Sequence, residues 1–270
     1  MFEVYYGFTA TPFTRTVSPS DLFPSHQHQE LLARLRYLVR NRGFGLVTGE
    51  VGSGKTTAIR ALAAGLDLAR HQLLYVAQSS LTPRHLYRAL GRQLGLEPAY
   101  QAADARRQLT ETLWATHAKQ DKLPVVVIDE GHLLSGSLLE EIRFFSNFSL
   151  DSVSPMALCL VGQGELRQRL RLQSLAAIAQ RVTLRYHLSG LPEPETRAYI
   201  QHHLKVAGVA HPLFSDEAMR LIHQFSKGIP RRINNLCVAS LLAGFAEQKS
   251  LIDEATVKQA WAEVEGETVA

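Results

Sequence analysis

Two short clusters of residues have the types and spacing to handle a phosphorylated ligand. Gly49-Glu50-Val51-Gly52-Ser53-Gly54-Lys55-Thr56 satisfies G-x-x-x-x-G-K-[ST] without a mismatch, with Thr57 following. Glycines in such a loop let successive backbone N–H groups turn into one concavity, and a helix opening at its end adds partial positive charge. Lys55 is then placed to reach the β- and γ-phosphates, and the Thr56 hydroxyl to ligate Mg²⁺. Further along, the hydrophobic run Val125–Ile128 ends in Asp129 and Glu130. Asp129 suits a metal held through its water shell, and Glu130 suits a general base that orients and deprotonates a water. Read alone, two acids at a strand end are an ordinary solvated turn; the glycine loop upstream makes them a pair with a task.

Single residues extend the constellation. Gln163, after Leu160-Val161-Gly162, can reach a γ-phosphate or the attacking water, or can simply cap the next helix. Arg181, immediately before an apolar run, can project into a neighbouring copy's nucleotide or be ion-paired on its own surface; Arg171 and Arg185 are rivals for the first role. Arg231 follows Gly228-Ile229-Pro230 at the first turn of a helix, where it can touch phosphates.

The elements that must position these residues alternate between two patterns. Nearly unbroken apolar runs at Phe44–Thr48, Leu73–Ala77, Val125–Asp129, Ala157–Val161 and Val182–Leu188 read as parallel strands covered on both faces. Helical patterns at Lys55–Ala69, Pro83–Leu94, Ala102–Ala118, Ser137–Ser146 and Glu165–Arg171 separate them. After Ser189-Gly190-Leu191-Pro192 only helical patterns remain: Glu195–Val206, Ser215–Ser226, Arg231–Gln248 and Asp253–Glu263. The expected organisation is an α/β domain over residues 1–190 and a small helical domain over 191–270.

Composition bounds the class. With 270 residues, 46% hydrophobic and 20% charged, the chain can bury a core, which excludes disordered and collagen-like classes. Its two cysteines, Cys159 inside an apolar run and Cys237, suit a reducing, cytoplasmic compartment. No apolar stretch reaches the roughly 18 residues of a spanning helix and the amino terminus lacks a leader pattern, so a soluble protein without a membrane partner is expected. The net charge of +4, carried mostly by arginine, permits a nucleic-acid partner. Ser80, Thr82, Arg84, Arg106 and Arg107, or the cluster Arg167, Arg169 and Arg171, are the candidate DNA contacts, with a solvated helix face as the alternative for each.

Together these residues resemble the AAA+ ATPases: Gly49–Thr56 is similar to their Walker A loop, Asp129-Glu130 to the Walker B acids, Gln163 to the first sensor, Arg181 to the arginine finger and Arg231 to the second sensor. The resemblance implies a P-loop NTPase fold, with a parallel five-stranded sheet in the order 5-1-4-3-2 and a small C-terminal helical lid. It also implies binding of ATP and Mg²⁺, hydrolysis to ADP and phosphate, and self-association into a ring or helical filament. Tyr5–Phe13, Leu22–His26, Asp129–Leu133 and Val161–Gln163 resemble the ExeA-like group, which holds secretion-associated ATPases and short proteins of transposable elements. In that group Phe8, Pro12, Phe13 and Phe23 would lie near the adenine; read alone they are core aromatics.

The secretion members carry further segments that this sequence does not show, which favours a regulator of DNA transposition. Such a regulator, resembling Mu-type B proteins, assembles on double-stranded DNA and recruits a transposase, with hydrolysis driving disassembly. The alternative is an ExeA-like ATPase that assembles a secretion or envelope machine without DNA. No aromatic pore loop is visible, which argues against an unfoldase.

Overall fold

The computed structural model describes residues 2–14, 18, 21–77, 81–97, 99–120, 122–145 and 154–266. The elements are α1 (Phe2–Tyr6), α2 (His26–Arg40), β1 (Phe44–Gly49), α3 (Lys55–Ala64), β2 (His71–Val76), α4 (Pro83–Gln93), α5 (Ala102–Gln120), β3 (Leu123–Ile128), α6 (Gly136–Phe145), β4 (Ala157–Gly162), α7 (Gly164–Arg169), α8 (Ala176–Arg181), β5 (Leu184–Leu188), α9 (Glu193–Val206), α10 (Asp216–Ser226), α11 (Pro230–Ala246) and α12 (Glu254–Gly266). They form two compact units, one of residues 30–50 and 55–188, the other of residues 1–29, 51–54 and 189–270.

The first unit is built on five strands in the order β2-β3-β4-β1-β5, the arrangement of a P-loop NTPase. Each observed pairing is parallel, with Leu46 opposite both Leu160 and Arg185. Parallel strands need helices on both faces, and the alternation of side chains divides them between two cores. Val126, Ile128, Leu158 and Leu160 pack with Leu86 and Leu90 of α4, Leu109 and Leu113 of α5 and Ile142 of α6. Val125, Val127, Cys159 and Val161 pack on the opposite face with Leu31, Leu35 and Leu38 of α2 and Ile59 and Leu62 of α3. Both strands next to the glycine loop, β1 and β4, are buried along their whole length. Burial pushes the Cys159 thiol up to about 12, so it behaves as a small hydrophobe.

Helix α2 is absent from the sequence reading, although Leu31, Leu35, Leu38 and Val39 recur on one helical face. Its polar opening, His26-Gln27-His28-Gln29, hides the pattern. Helix α3 stops at Ala64, short of the expected Ala69, because Gly65 and the turn before β2 take over.

The second unit is helical, and its membership corrects the expected domain over residues 1–190. Residues 1–29 cluster with 189–270 because the aromatic side chains of the amino terminus complete the helical core. Tyr6, Phe8 and Phe13 are buried with Ile200, Leu204, Phe214, Ile222, Leu236 and Leu241. The Tyr6 hydroxyl donates to Leu241 O at 3.3 Å, and the Thr9 N–H to Ala207 O at 2.9 Å. Phe13 stacks on His203 at 5.4 Å, where burial holds the imidazole down to about 4. Phe23 meets Tyr199 edge-on and Pro12 is buried, so these four residues take the core role that their types alone suggest.

Start signals work as written: Ser215 Oγ accepts from Ala218 N, Asp253 Oδ1 accepts from Thr256 N, and Pro230 opens α11. Ahead of α11 two glycines let backbones touch. Gly228 has φ +70°, and a Cβ there would lie 2.0 Å from Leu191 O; Gly190 faces Lys227 O at the same distance, and Leu191 N–H donates to Gly228 O at 2.8 Å. Gly228→Ala must therefore both strain φ and separate these strands of chain. We expect a loss of about 3 kcal/mol, seen as a fall of roughly 8 °C in the melting temperature. A melting curve within a degree of the parent would contradict the close approach.

Candidate nucleotide site

The glycine loop leaves β1 at Gly49 and enters α3 at Lys55, with Gly52 at φ +83° and Gly54 at φ +101°. Only glycine adopts these values without strain. The loop is also closed from one side: a Cβ on Gly52 would lie 2.4 Å from Arg231 Cβ, and Arg231 N–H donates to Gly52 O at 3.3 Å. Arg231, singled out from its Gly-x-Pro-Arg turn, thus sits against the loop through its main chain. Lys55 Nζ donates to Gly49 O at 2.9 Å and to Glu50 O at 2.8 Å, so its ammonium is folded over the loop's own carbonyls. Ser53 Oγ is buried and has no hydrogen-bond partner. A buried orphan hydroxyl is a group that phosphate oxygens would satisfy, and the Lys55 ammonium over the loop carbonyls is a donor they would engage, so the residues fit a nucleotide.

Asp129 follows β3 and is buried at 3% exposure. Its Oδ2 accepts from Thr56 Oγ1 at 3.1 Å and from the Tyr75 hydroxyl at 2.8 Å, and its Oδ1 accepts from Glu130 N at 2.8 Å. Burial, reinforced by Asp129 as acceptor, pushes the Tyr75 phenol well up, so Tyr75 remains a donor and orients the carboxylate. Thr56 and Asp129 bring two hard oxygens together where Mg²⁺, which takes one or two protein oxygens and completes its shell with water and phosphate, would be held.

Glu130 has φ 55° and ψ 31°, the left-handed region, which a non-glycine residue holds only when its surroundings enforce it. Its main chain starts the short turn Gly131–Leu133, and its carboxylate is half-exposed with Oε2 3.6 Å from His132 Nδ1. His132, itself buried, connects this acid to Gln163: the Gln163 side-chain amide meets Nε2 at 2.8 Å, and the Gln163 backbone N–H donates to Nδ1 at 3.4 Å. With Nδ1 accepting from the Gln163 backbone, Nε2 carries the proton, and the 2.8 Å contact is a hydrogen bond with the Gln163 amide turned so that its oxygen, in place of the nitrogen, faces the ring. Gln163 occupies the cap position of α7, yet its side chain makes no capping bond. The geometry therefore directs the amide to His132 and away from the helix end.

Residues 37–170 match the AAA domain family. The chain carries an AAA domain. It is 37% identical over 98% of its length to general secretion pathway protein A of Aeromonas hydrophila, and spans about half, 49%, of that relative. Among solved structures it is similar to the ORC2 protein of Aeropyrum pernix, whose complexes hold ADPNP and ADP (TM-score 0.64, 18% identity, 93% of this chain and 70% of that one). It is similar also to Cdc6p of Pyrobaculum aerophilum (0.66, 17%, 92% and 71%) and to a RuvB branch-migration motor of Thermotoga maritima (0.54, 16%, 86% and 67%). At these identities the structures speak for the fold.

Arg181 is the last residue of α8 and is half-buried. Most of the arginines proposed to meet DNA are engaged elsewhere. Arg84 lies over the Tyr100 ring at 4.1 Å, Arg106 pairs with Glu141 at 3.2 Å, and Arg107 pairs with Asp104 at 3.5 Å. Thr82 caps α4 through His85 N, and Arg169 donates to the carbonyls of His132 and Leu134, both at 2.6 Å. Ser80 lies outside the described residues. His132 is the site residue that sequence reasoning passed over; its signal was the fixed offset in Asp129-Glu130-Gly131-His132. Among the described residues no helix is long and apolar enough to cross a membrane.

Proposed function

We propose that the chain is an ATP-hydrolysing module of an ExeA-like ATPase, and that its nucleotide cycle drives assembly of a secretion or envelope machine. The single observation that carries the hydrolytic reading is the 3.1 Å approach of Thr56 Oγ1, two residues after the loop's last glycine, to Asp129 Oδ2, with Glu130 as the next residue. Bound ATP·Mg²⁺ would supply an electrophilic phosphorus with its charge partly neutralised. The loop residues Gly49, Glu50, Val51, Gly52, Ser53 and Gly54 would present backbone N–H groups, and Thr57 would continue the first turn of α3. Lys55 would hold phosphate oxygens, Thr56 and Asp129 the metal, and Glu130 the proton of the attacking water. His132 stands between Gln163 and Glu130, hydrogen-bonded to Gln163 and with Nδ1 3.6 Å from the Glu130 carboxylate, so it would position both the sensor and the base.

Arg231 is the residue through which the helical segment after residue 190 reads the phosphates, because its main chain already holds Gly52. Arg181 would complete the site of an adjoining copy, which makes self-association part of catalysis. The secretion reading rests on the relation to general secretion pathway protein A, which extends over nearly the whole chain. The transposition reading gives way to it: the relative is a secretion protein, and Arg84, Arg106 and Arg169, three of the candidate DNA contacts, are engaged by Tyr100, Glu141 and the carbonyls of His132 and Leu134. ATPase assays with and without duplex DNA at low salt test this choice. The rate is expected to be indifferent to DNA; stimulation of about tenfold would return the transposition reading.

His132→Ala should lower ATP turnover by about tenfold with nucleotide affinity unchanged, and His132→Gln should restore part of it by offering Gln163 a polar partner. A matching loss of nucleotide affinity would reduce His132 to a packing role.

A further inference from the structure

Besides the nucleotide site, the first unit holds a recess of about 250 Å³ whose lining includes Leu46, Thr48, Arg167, Arg171, Arg185 and His187, with Tyr186 at its edge. It arises from the fold. β5 is the edge strand beside β1, and its side chains alternate: Leu184, Tyr186 and Leu188 pack into the core shared with α2, leaving Arg185 and His187 on the other face. There they stand opposite Leu46 and Thr48 of β1. Arg167 and Arg171, four residues apart at α7 and the turn after it, close the recess from above.

Three arginine side chains therefore line one concavity, and among the described residues none of the three makes an ion pair with a carboxylate. Arg185 reaches only the carbonyl of Ala179. His187 also faces the recess, held by Thr48 Oγ1 at 3.0 Å: burial, then the charges of Arg167 and Lys55, outweigh that of Glu50 and keep its imidazole below the usual range. Convergent like charges cost free energy unless an anion meets them. Guanidinium forks bind carboxylate or phosphate two oxygens at a time. One carboxylate fills one fork; a phosphate group offers enough oxygens and charge for three.

We propose that this recess is a binding site for a phosphate-class oxyanion, distinct from the glycine loop. It is wide enough for a phosphate group with part of what it is attached to, so inorganic phosphate and a phosphate monoester are the two sources of the same chemistry. The assignment does not rest on ATP hydrolysis.

Inorganic phosphate is the probe. Because it would also enter the glycine loop, it is titrated by calorimetry into protein saturated with ADP and Mg²⁺, and separately into the Lys55→Ala variant without nucleotide. Each is expected to take up one phosphate per chain at millimolar or lower concentration. The double variant Arg171→Ala, Arg185→Ala should bind it at least about tenfold more weakly, while its ADP affinity and melting temperature stay those of the parent. Methyl phosphate in place of phosphate tells the sources apart: equal affinity means a monoester fits, weaker affinity restricts the site to the free ion, and either outcome supports the site. Unchanged phosphate uptake in the double variant overturns the proposal, as does the absence of uptake. Succinate binding as tightly as phosphate would overturn the choice of phosphate. Failure of ADP to bind would instead strike the nucleotide reading, and the comparison of ADP-free parent with double variant would still decide this one.

Discussion

Glu130→Gln is expected to lower ATP turnover by about 10²- to 10⁴-fold while nucleotide affinity stays within a factor of about three. The substitution keeps the size and the hydrogen-bonding reach of the side chain but removes its ability to take a proton. The main chain at this position is costly, of the order of 1–3 kcal/mol for a left-handed non-glycine residue. It is held by two local bonds, Glu130 N to Asp129 Oδ1 at 2.8 Å and Leu133 N to Glu130 O at 2.9 Å. Neither uses the carboxylate, so glutamine inherits the same backbone. Thr56 bonds to Asp129 and not to Glu130, and glutamine keeps the shape of the side chain, which is why binding should survive. The variant is therefore expected to accumulate the ATP-bound form, visible as larger assemblies by light scattering in ATP and Mg²⁺. Single-turnover hydrolysis and a fluorescent-nucleotide titration make the measurement. Equal losses in both would place Glu130 in binding rather than in catalysis.

What could be read from the chain follows from how local the physics was. β1, the glycine loop and α3 were legible because a strand buried on both faces, positive-φ glycines and a lysine at a helix start are all properties of neighbouring residues. The acids after β3 were legible for the same reason. The partner of the amino terminus was not: Tyr6, Phe8 and Phe13 announce burial, but nothing local says that their core lies some two hundred residues further on, around Ile200 and Leu236. The arginines posed the same difficulty. Arg106 reads as a free cation in sequence and is paired with Glu141 in the fold, whereas Arg167 and Arg171 read as a basic cluster whose meeting with Arg185 around one recess shows only once β5 and α7 are placed. His132 combines both cases. Its offset from Glu130 was visible, but its link to Gln163 depends on β4 lying beside β3 in the sheet.

Lys55→Ala should separate binding from chemistry in the opposite direction. In the structure the ammonium bridges Gly49 O and Glu50 O, a pose in which two charge-assisted donors are held ready over the cradle. Phosphate oxygens would exchange for these carbonyls, and each such bond is worth about 1.5–2 kcal/mol net. Losing two therefore weakens ATP binding by roughly 10²- to 10³-fold at 1.4 kcal/mol per factor of ten. Alanine is the best helix former at the start of α3, and the loop's shape is set by Gly52, Gly54 and the contact with Arg231, none of which involves the lysine side chain. The melting temperature of the nucleotide-free variant should accordingly stay within about 2 °C of the parent, while the stabilisation that saturating ATP and Mg²⁺ gives the parent disappears. Arginine should not rescue it, because a longer planar fork cannot fold back over two carbonyls that a compact ammonium spans. A Lys55→Ala protein that still gains stability from ATP as the parent does would mean that the loop's main chain alone carries the affinity, and the role given to Lys55 would pass to Arg231.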